Sequence, residues 1–403
     1  MTSNLPKLLI VTDDCISPSH GTGSALLRQL ADFPEEILLH AFLNLKGDPF
    51  LSQSFQIDPR KEKPLPLLHR ILPRPLRSQP QTLSTREFVQ RALRQSRQID
   101  IVYSCVFGEK GLRLVSDILD LLPPGTPTIH HAMDFLYQKK SRFERILRDL
   151  SPRISEFWAI GPGILDEIKR ITGRIPILMT PFQCELRPQL KTSYSDFGPS
   201  STVVMLGNSH MPWVLHHLRK VWSEIRQAFP DLKPIQWYAY PSSVGYVKQA
   251  GVIFEPDIEY YGFLNDRVLH EHLCNAEFAI VPFNIQDKPE YHYAQYSIPS
   301  RITELIHAGL PLFAAAGKNT EAFRFITRNH LGICATLADE ETFTDRLLEF
   351  ARDRSLREQI GTQNRQYAEQ RCDIRTYRKE LITKLKALAD PQSSPSLARS
   401  SFL

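Results

Sequence analysis

The sequence predicts an α/β protein built from two Rossmann-like domains. Three observations favour this class. The 403 residues are too many for a single hydrophobic core. Short apolar strands alternate with amphipathic helices in two successive series, which is the pattern of parallel sheets covered on both faces. Between the two series, over residues 181–201, proline, serine and glycine accumulate without periodicity, as in an interdomain linker.

The first series follows from apolar runs for the strands and from apolar residues three or four apart for the helices. Its strands are expected at Lys7–Thr12, Ile37–Asn44, Ile99–Cys105, Thr128–His131, Glu156–Ile160 and Ile175–Thr180. Its helices are expected at Ser24–Phe33, Gly111–Leu122, Ser141–Ser151 and Gly163–Thr172. One more helix is expected after Ser84, because Ser84 and Glu87 have the spacing of a capping box.

The second series is predicted by the same rules. Its strands are expected at Thr202–Gly207, Ile235–Tyr240, Val252–Glu255, Phe278–Pro282 and Leu312–Ala315. Its helices are expected at Val214–Phe229, Asp266–Cys274, Ser300–Ala308, Glu340–Arg352 and Arg357–Ala389.

These elements divide the chain into a first domain over residues 1–185, a linker over residues 186–201 and a second domain over residues 202–372. The last helical stretch, residues 373–389, is expected to lie apart from the second domain. The polar tail of residues 390–403 is expected to be disordered.

The composition is that of a soluble globular protein, with 42% hydrophobic and 23% charged residues. No apolar run approaches the roughly 18 residues that a membrane span requires, and Leu8–Val11 is too short for a signal-peptide core. We therefore expect a cytoplasmic location. The six cysteines are dispersed without a Cys-x-x-Cys pair, which indicates buried thiols and neither a zinc site nor a disulfide framework.

The segment Tyr296–Gly317 combines several features of a binding site. A proline followed by Ser300 suits a helix start, where a serine can cap free amides, and Gly309 suits the helix end. A helix amino terminus attracts anions, and a nearby carboxylate such as that of Glu304 can accept hydrogen bonds from two ribose hydroxyls. An ordinary helix-to-strand corner with a solvated glutamate has the same pattern, so that alternative stays open.

This segment resembles the nucleotide-sugar-binding element of GT-B glycosyltransferases, especially of the family 4-like group. GT-B enzymes have two Rossmann-like domains that face a central cleft, which agrees with the fold class above. The resemblance implies that Glu304 binds the ribose of a nucleoside diphosphate sugar, the substrate. It also implies a terminal helix that crosses back onto the first domain.

The donor side of the second domain departs from the family pattern. The strand Val203–Gly207 and the following Asn208 resemble the turn that ends the first strand of the donor domain. Family 4 enzymes place an arginine and then a lysine there to neutralise the diphosphate, and this chain has neither. Arg301 is the nearest replacement, and Lys318 and Thr320 are further candidates for contacting a phosphate.

A second departure concerns the family's pair of glutamates spaced eight residues apart. Glu304 matches the second member, but Tyr296 occupies the position of the first. These departures leave open an inactive relative that binds a nucleotide.

In the first domain, a loop with Gly21 and Gly23 follows the first strand and resembles the glycine-containing loop of GT-B transferases. Glycines at such a position allow backbone amides to approach a phosphate. The loop fails as a dinucleotide fingerprint because Leu26 occupies the place of the third glycine. A plain turn is the alternative.

A histidine pair and an aspartate, in His130–Asp134, follow the strand expected at Thr128–His131. They resemble a family 4 segment whose histidine contacts the donor sugar, a role that the resemblance gives to His131, with Asp134 close by as the second candidate catalytic residue. Imidazole can donate to a sugar hydroxyl while neutral. A structural histidine is the alternative. Adjacent histidines on a strand point in different directions, so the pair does not predict a metal site.

The basic residues are concentrated between Arg60 and Arg97, where ten lysines and arginines stand against two acidic residues, a local excess of +8. Prolines keep the part around Arg70, Arg74 and Arg77 from forming a regular helix. This surface suits contact with an anionic membrane or an acidic acceptor. Nucleic acid is not expected, because no aromatic residues interleave with the arginines. A solvated helix beside a loop is the alternative.

The sequence thus predicts a glycosyltransferase that moves a sugar from a nucleoside diphosphate sugar to a glycan, a lipid-linked or another small acceptor. The resemblance implies retention of anomeric configuration. No cofactor and no metal are expected, because the chain lacks the Asp-x-Asp motif that holds a divalent cation in GT-A transferases. Two alternatives stay open: a nucleotide-sugar epimerase of the same fold, and a non-catalytic protein that binds a glycan or nucleotide.

Overall fold

The computed structural model describes residues 5–17, 21–44, 51, 53–58, 82–96, 98–136, 139–180, 183–188, 193–207, 212–283, 295–337 and 340–390. The chain divides into two compact units. The first comprises Met1–Pro181 and Arg375–Leu403, and the second comprises Phe182–Ile374. Each unit is described by itself below.

The first unit is a parallel sheet with helices between its strands. The strands are β1 (Leu8–Asp14), β2 (Leu38–Asn44), β3 (Ser54–Ile57), β4 (Thr82–Leu83), β5 (Ile101–Cys105), β6 (Thr128–Ala132), β7 (Glu156–Ala159) and β8 (Ile177–Leu178). Their order in the sheet is β4-β3-β2-β1-β5-β6-β7-β8, and every pairing is parallel. The helices are α1 (Gly21–Leu30), α2 (Thr85–Ser96), α3 (Glu109–Leu121), α4 (Lys140–Leu150) and α5 (Pro162–Thr172).

The capping box predicted at the start of α2 is confirmed. The Ser84 backbone amide donates to Glu87 Oε2 at 2.9 Å, and the Glu87 amide donates to Ser84 Oγ at 3.2 Å. The box satisfies amides that the first helical turn leaves without partners. The local sequence is therefore sufficient to fix where this helix begins.

The second unit is also a parallel sheet, in the order β11-β10-β9-β12-β13-β14. Its strands are β9 (Val203–Leu206), β10 (Ile235–Tyr238), β11 (Ile258–Gly262), β12 (Phe278–Phe283), β13 (Leu312–Ala316) and β14 (Gly332–Ala335). Its helices are α6 (Pro212–Ala228), α7 (Pro241–Gln249), α8 (Asp266–Cys274), α9 (Ile302–His307), α10 (Glu321–Arg328), α11 (Glu340–Arg352) and α12 (Arg354–Arg371). Apolar clusters cover both faces of this sheet, because alternate residues such as Phe313 and Ala314 enter opposite clusters.

Two predicted elements were wrong. Residues 252–255 are not a strand, and the edge strand is β11, which begins three residues later. The helix expected at Arg357–Ala389 is interrupted at Cys372 and Asp373, so that α12 ends at Arg371 and α13 spans Ile374–Ala389. At this break the chain forms an isolated parallel bridge between Cys184 and Asp373.

Helix α13 packs on the first unit. Tyr377 is buried, and its hydroxyl donates to Gln29 Oε1 at 3.3 Å. Arg378 Nε donates to the carbonyl oxygen of Arg28 at 2.6 Å, at the end of α1. Leu381 and Leu385 are fully buried.

Two arginines of α12 hold described parts of the expected linker on the second unit. Arg357, fully buried, pairs with Glu277 at 2.6 Å and donates to the Ser195 carbonyl at 2.8 Å. Two turns along, Arg365 Nη2 donates to the Arg187 carbonyl at 2.6 Å. These bonds fix both described stretches of the linker region.

The six cysteines are free and buried, as predicted from their dispersion. Among the described residues, no helix is both long enough and apolar enough to cross a membrane.

Candidate functional site

Gly207 ends the first strand of the second unit in a conformation that favours glycine, with φ of +109°. Its amide donates to the Tyr238 carbonyl at 2.9 Å, and its own carbonyl accepts from Trp237 Nε1 at 3.0 Å. A Cβ added at Gly207 would lie 3.4 Å from Cγ of Arg301. The aliphatic stem of Arg301 therefore packs against the turn that follows β9.

Arg301 and Glu304 form an ion pair at the start of α9, with Arg301 Nη1 and Glu304 Oε1 2.9 Å apart. The two side chains retain 14% and 12% of their exposure, so water screens the pair only in part. The other carboxylate oxygen of Glu304 lies 3.1 Å from Thr303 Oγ1. The structure thus brings together three of the predicted donor-site residues, Gly207, Arg301 and Glu304.

Ser300 does not cap the helix in the way the sequence suggested. The helix begins at Ile302, and Arg301 occupies the N-cap position without a side-chain capping bond. Ser300 contributes its carbonyl oxygen instead, which accepts from Thr303 Oγ1 at 3.0 Å.

Thr320 and Lys318 have different surroundings in the loop after β13. Thr320 is fully buried and is the N-cap of α10: its hydroxyl donates to the Gly317 carbonyl at 2.7 Å and accepts from the Phe323 amide at 3.1 Å. A phosphate contact for Thr320 disagrees with the structure, because both functions of the hydroxyl serve the cap. Lys318 is exposed.

An aromatic pair that sequence reasoning missed lies at the carboxyl ends of the neighbouring strands. Tyr240 follows β10 and Phe263 follows β11, and their rings stack with centroids 4.2 Å apart and an interplanar angle of 22°. Phe263 is 47% exposed. A signal existed, since an aromatic residue follows each strand, but the misplacement of β11 hid it. Such a surface can stack with a planar ring.

In the first unit, Gly21 and Gly23 are not loop residues. Helix α1 starts at Gly21, three residues earlier than predicted, so both glycines belong to its first turn. The loop interpretation was wrong here because two glycines argue against a helix unless the surrounding fold imposes one.

His131 is fully buried on β6, and both of its ring nitrogens have partners. Nδ1 lies 2.6 Å from the Tyr103 hydroxyl, and Nε2 lies 2.8 Å from the Met179 carbonyl oxygen. Burial lowers the pKa of His131 to about 4, although the bond to Met179 opposes this shift. The prediction that this ring contacts a sugar disagrees with the structure, because a sugar hydroxyl would have to displace one of these partners.

Asp134 follows β6 and is half-buried. Desolvation by burial raises the pKa of Asp134 to about 8, so this carboxyl can hold or release a proton near neutral pH. Asp13, on β1, is a second carboxylate in this region. Burial is the main cause of the raised pKa of Cys105, and Asp13 and Asp134 both add to it. Asp13 Oδ2 accepts from the Phe107 amide. The carboxyl ends of β1, β5 and β6 thus place two acidic side chains around Cys105.

Asn208 and the basic residues Arg70, Arg74 and Arg77 lie outside the described residues. Within the described ranges, no group of three or more His, Cys, Asp and Glu side chains has the arrangement of a metal site.

Comparisons with known proteins give a fold and no sequence family. No protein-family model matches the chain, and no curated protein does. Among solved structures, HepE of Anabaena, crystallised in complex with UDP, is 16% identical with a TM-score of 0.66, and the match covers 94% of this chain and 100% of HepE.

Two further solved structures show the same likeness. Sucrose-phosphate synthase from Thermosynechococcus elongatus is 10% identical with a TM-score of 0.64, over 96% of this chain and 99% of that one. WaaG, a glycosyltransferase involved in lipopolysaccharide biosynthesis, is 12% identical with a TM-score of 0.59, and the match covers 94% of this chain and 99% of WaaG. The chain has the two-domain α/β fold of GT-B glycosyltransferases, which confirms the predicted fold class.

Proposed function

We propose that this chain is a glycosyltransferase that takes a sugar from a nucleoside diphosphate sugar, with uridine as the first base to test. Two contacts of Arg301 carry the proposal. Its side chain packs against Gly207 at the end of β9, and its guanidinium forms an ion pair with Glu304 at the start of α9. The structural likeness to HepE, which binds UDP and UDP-glucose in its crystals, supports the choice of uridine.

The chemistry of the three residues suits a nucleoside diphosphate. Arg301 supplies the positive charge that the family places after β9 and that this chain lacks there, and a guanidinium can bind two phosphate oxygens at once. Glu304 accepts from the ribose hydroxyls. Gly207 has no side chain, so its backbone leaves room for the diphosphate next to Arg301. The exposed ring of Phe263, backed by Tyr240, is the surface we assign to the base.

In the first unit, Asp134 is the residue that we assign to proton exchange with the acceptor hydroxyl. General acid–base catalysis works best with a group whose pKa is near the working pH, and the pKa of Asp134 is raised to about 8. The proposal keeps a family 4-like enzyme, retention, metal independence and a cytoplasmic location as expectations from the sequence.

Calorimetric titration with UDP and UMP tests the donor site. Glu304→Gln should weaken both nucleotides by about 1–3 kcal/mol, the usual range for a hydrogen bond to a charged group, because both carry the ribose. Arg301→Gln should weaken UDP more than UMP, because it removes a phosphate contact. Glu358→Gln, at an exposed glutamate of the same unit, is the matched control.

Equal affinities of the wild type and the Glu304→Gln variant would refute the site. Incubation with a panel of nucleotide sugars then separates the reactions. A transferase or slow hydrolase releases nucleoside diphosphate, an epimerase changes the sugar, and a binding protein does neither.

A further inference from the structure

The bonds of the His131 ring define a single tautomer. A carbonyl oxygen only accepts, so the Nε2 of His131 carries the proton that binds the Met179 carbonyl at 2.8 Å. The Nδ1 atom is then an acceptor, and the Tyr103 hydroxyl, 2.6 Å away, donates a hydrogen bond to it. His131 and Tyr103 are both buried, so water cannot substitute for either bond. The ring is therefore a neutral connector between β5 and the residue that follows β8.

Met179 lies where the chain is about to leave the first unit. Strand β8 has two residues and forms an edge of the sheet. After it, the Met179 amide donates to the Ala159 carbonyl at 2.8 Å, and Thr180 Oγ1 donates to the Ile160 carbonyl at 2.9 Å. The second unit begins at Phe182. A strand this short forms few hydrogen bonds to its neighbour. The bond from His131 is therefore a large share of the hydrogen bonds that hold residues 177–180 on the first unit.

The chain returns to the first unit beside the same buried layer. The first unit resumes at Arg375, and Tyr377 is buried two residues later. Burial raises the pKa of Tyr103, and Tyr377 adds to that increase, so both phenols belong to the buried part of the first unit.

We propose that His131 is a positioning residue that fixes the place where the chain leaves the first unit, by holding the Met179 carbonyl. This role differs from the sugar contact that sequence resemblance suggested, and it explains why both nitrogens are occupied inside the unit. Its effect on turnover rests on the proposed glycosyl transfer, whereas its effect on the exit segment does not.

Hydrogen exchange of the intact protein tests the proposal through peptides that cover residues 177–180. His131→Leu removes the donor and keeps an apolar side chain, and we expect at least tenfold faster exchange in this segment. His131→Gln retains an amide donor near the Nε2 position and should restore exchange to within threefold of the wild type. Tyr103→Phe deletes the other partner and keeps the bond to Met179, so it should also stay within threefold.

Kinetics supply the second measurement. His131→Leu should lower kcat at least tenfold while the donor KM and the Kd for UDP stay within twofold, because the donor-site residues belong to the second unit. His131→Gln should recover most of the kcat.

Unchanged exchange of residues 177–180 in the His131→Leu variant would overturn the proposal, and so would equal acceleration by Tyr103→Phe. If the leucine variant does not fold, the comparison moves to His131→Asn, whose amide is too short to reach the Met179 carbonyl. Exchange as slow in this variant as in His131→Gln would contradict the assigned bond. If the wild type releases no nucleoside diphosphate from any donor, the proposed function fails while the exchange result still decides the role of His131.

Discussion

Acid should destabilise the first unit through His131, by an amount that follows from its surroundings. The ordinary pKa of a histidine is about 6.5, and burial lowers that of His131 to about 4. Between pH 6.5 and about pH 4, His131 is therefore protonated in the unfolded chain and neutral in the folded chain. The free energy of unfolding falls as the pH falls through this range. The loss begins near pH 6.5 and is complete below about pH 4.

The magnitude follows from the size of the shift. A pKa lowered from 6.5 to about 4 corresponds to a loss of about 2 kcal/mol at pH 5 and about 3 kcal/mol well below pH 4. That is a large fraction of the roughly 5–15 kcal/mol by which a domain is stable. The neighbouring His130, whose pKa is lowered to about 3 by burial and by His131, should add a loss of the same sign.

Urea unfolding at pH 7 and at pH 5 measures this dependence, with hydrogen exchange of first-unit peptides as the readout of unfolding. The His131→Gln variant cannot take up the proton, so its loss of stability between pH 7 and pH 5 should be about 2 kcal/mol smaller than that of the wild type. The same substitution at the exposed His216 of the second unit controls for the chemistry of the change. An equal loss in His131→Gln and in the wild type would refute the neutral, buried state assigned to the ring.

Three other predictions concern the rest of the molecule. Arg357→Met should lower the stability of the second unit by about 3–5 kcal/mol in urea unfolding, because the buried Glu277 would lose its only cationic partner among the described residues. Adding Glu277→Leu should recover much of the loss. Activity should survive excess chelator, as the missing Asp-x-Asp motif implies, and a loss that manganese or magnesium restores would contradict this. The protein should sediment with anionic but not with neutral vesicles, at about 1 kcal/mol for each basic residue near the surface, and added salt should weaken the binding. Replacing Arg70, Arg74 and Arg77 with glutamine should abolish that binding, and a concurrent fall in nucleotide affinity would show that these arginines belong to the donor site.

The sequence was sufficient for the fold class, because most strands are apolar runs that alternate with amphipathic helices, and those patterns need no knowledge of distant contacts. Strand β11 was not predicted, because it is an edge strand in which Glu259 and Tyr261 are exposed and the apolar content is therefore low. The preceding Val252–Glu255 is more apolar but ends directly before Pro256 and pairs with no strand. The break between α12 and α13 depends on the bridge of Asp373 with Cys184, nearly two hundred residues away along the chain, which no local pattern reveals.

The candidate site divides in the same way. Gly207 and Glu304 could be chosen from their positions at a strand end and a helix start. The ion pair of Glu304 with Arg301 depends on side-chain packing beside β9. The two bonds of His131 depend on Tyr103 of β5 and on Met179 after β8, which are distant from His131 along the chain. Thr320 was predicted to contact a phosphate, because a threonine before a helix can either bind a ligand or cap the helix. The hydrogen bonds of its hydroxyl in the folded loop distinguish between these two roles.

The burial of all six cysteines makes the protein suitable for site-directed labelling. A maleimide reacts with an accessible thiolate, and burial raises the pKa of the thiols of Cys105, Cys334 and Cys372 besides shielding them. A cysteine introduced at an exposed site in each unit, such as Glu358 in the second, should therefore react well before the native thiols. A donor and an acceptor dye attached in this way would report the separation of the two units in solution without first removing any native cysteine.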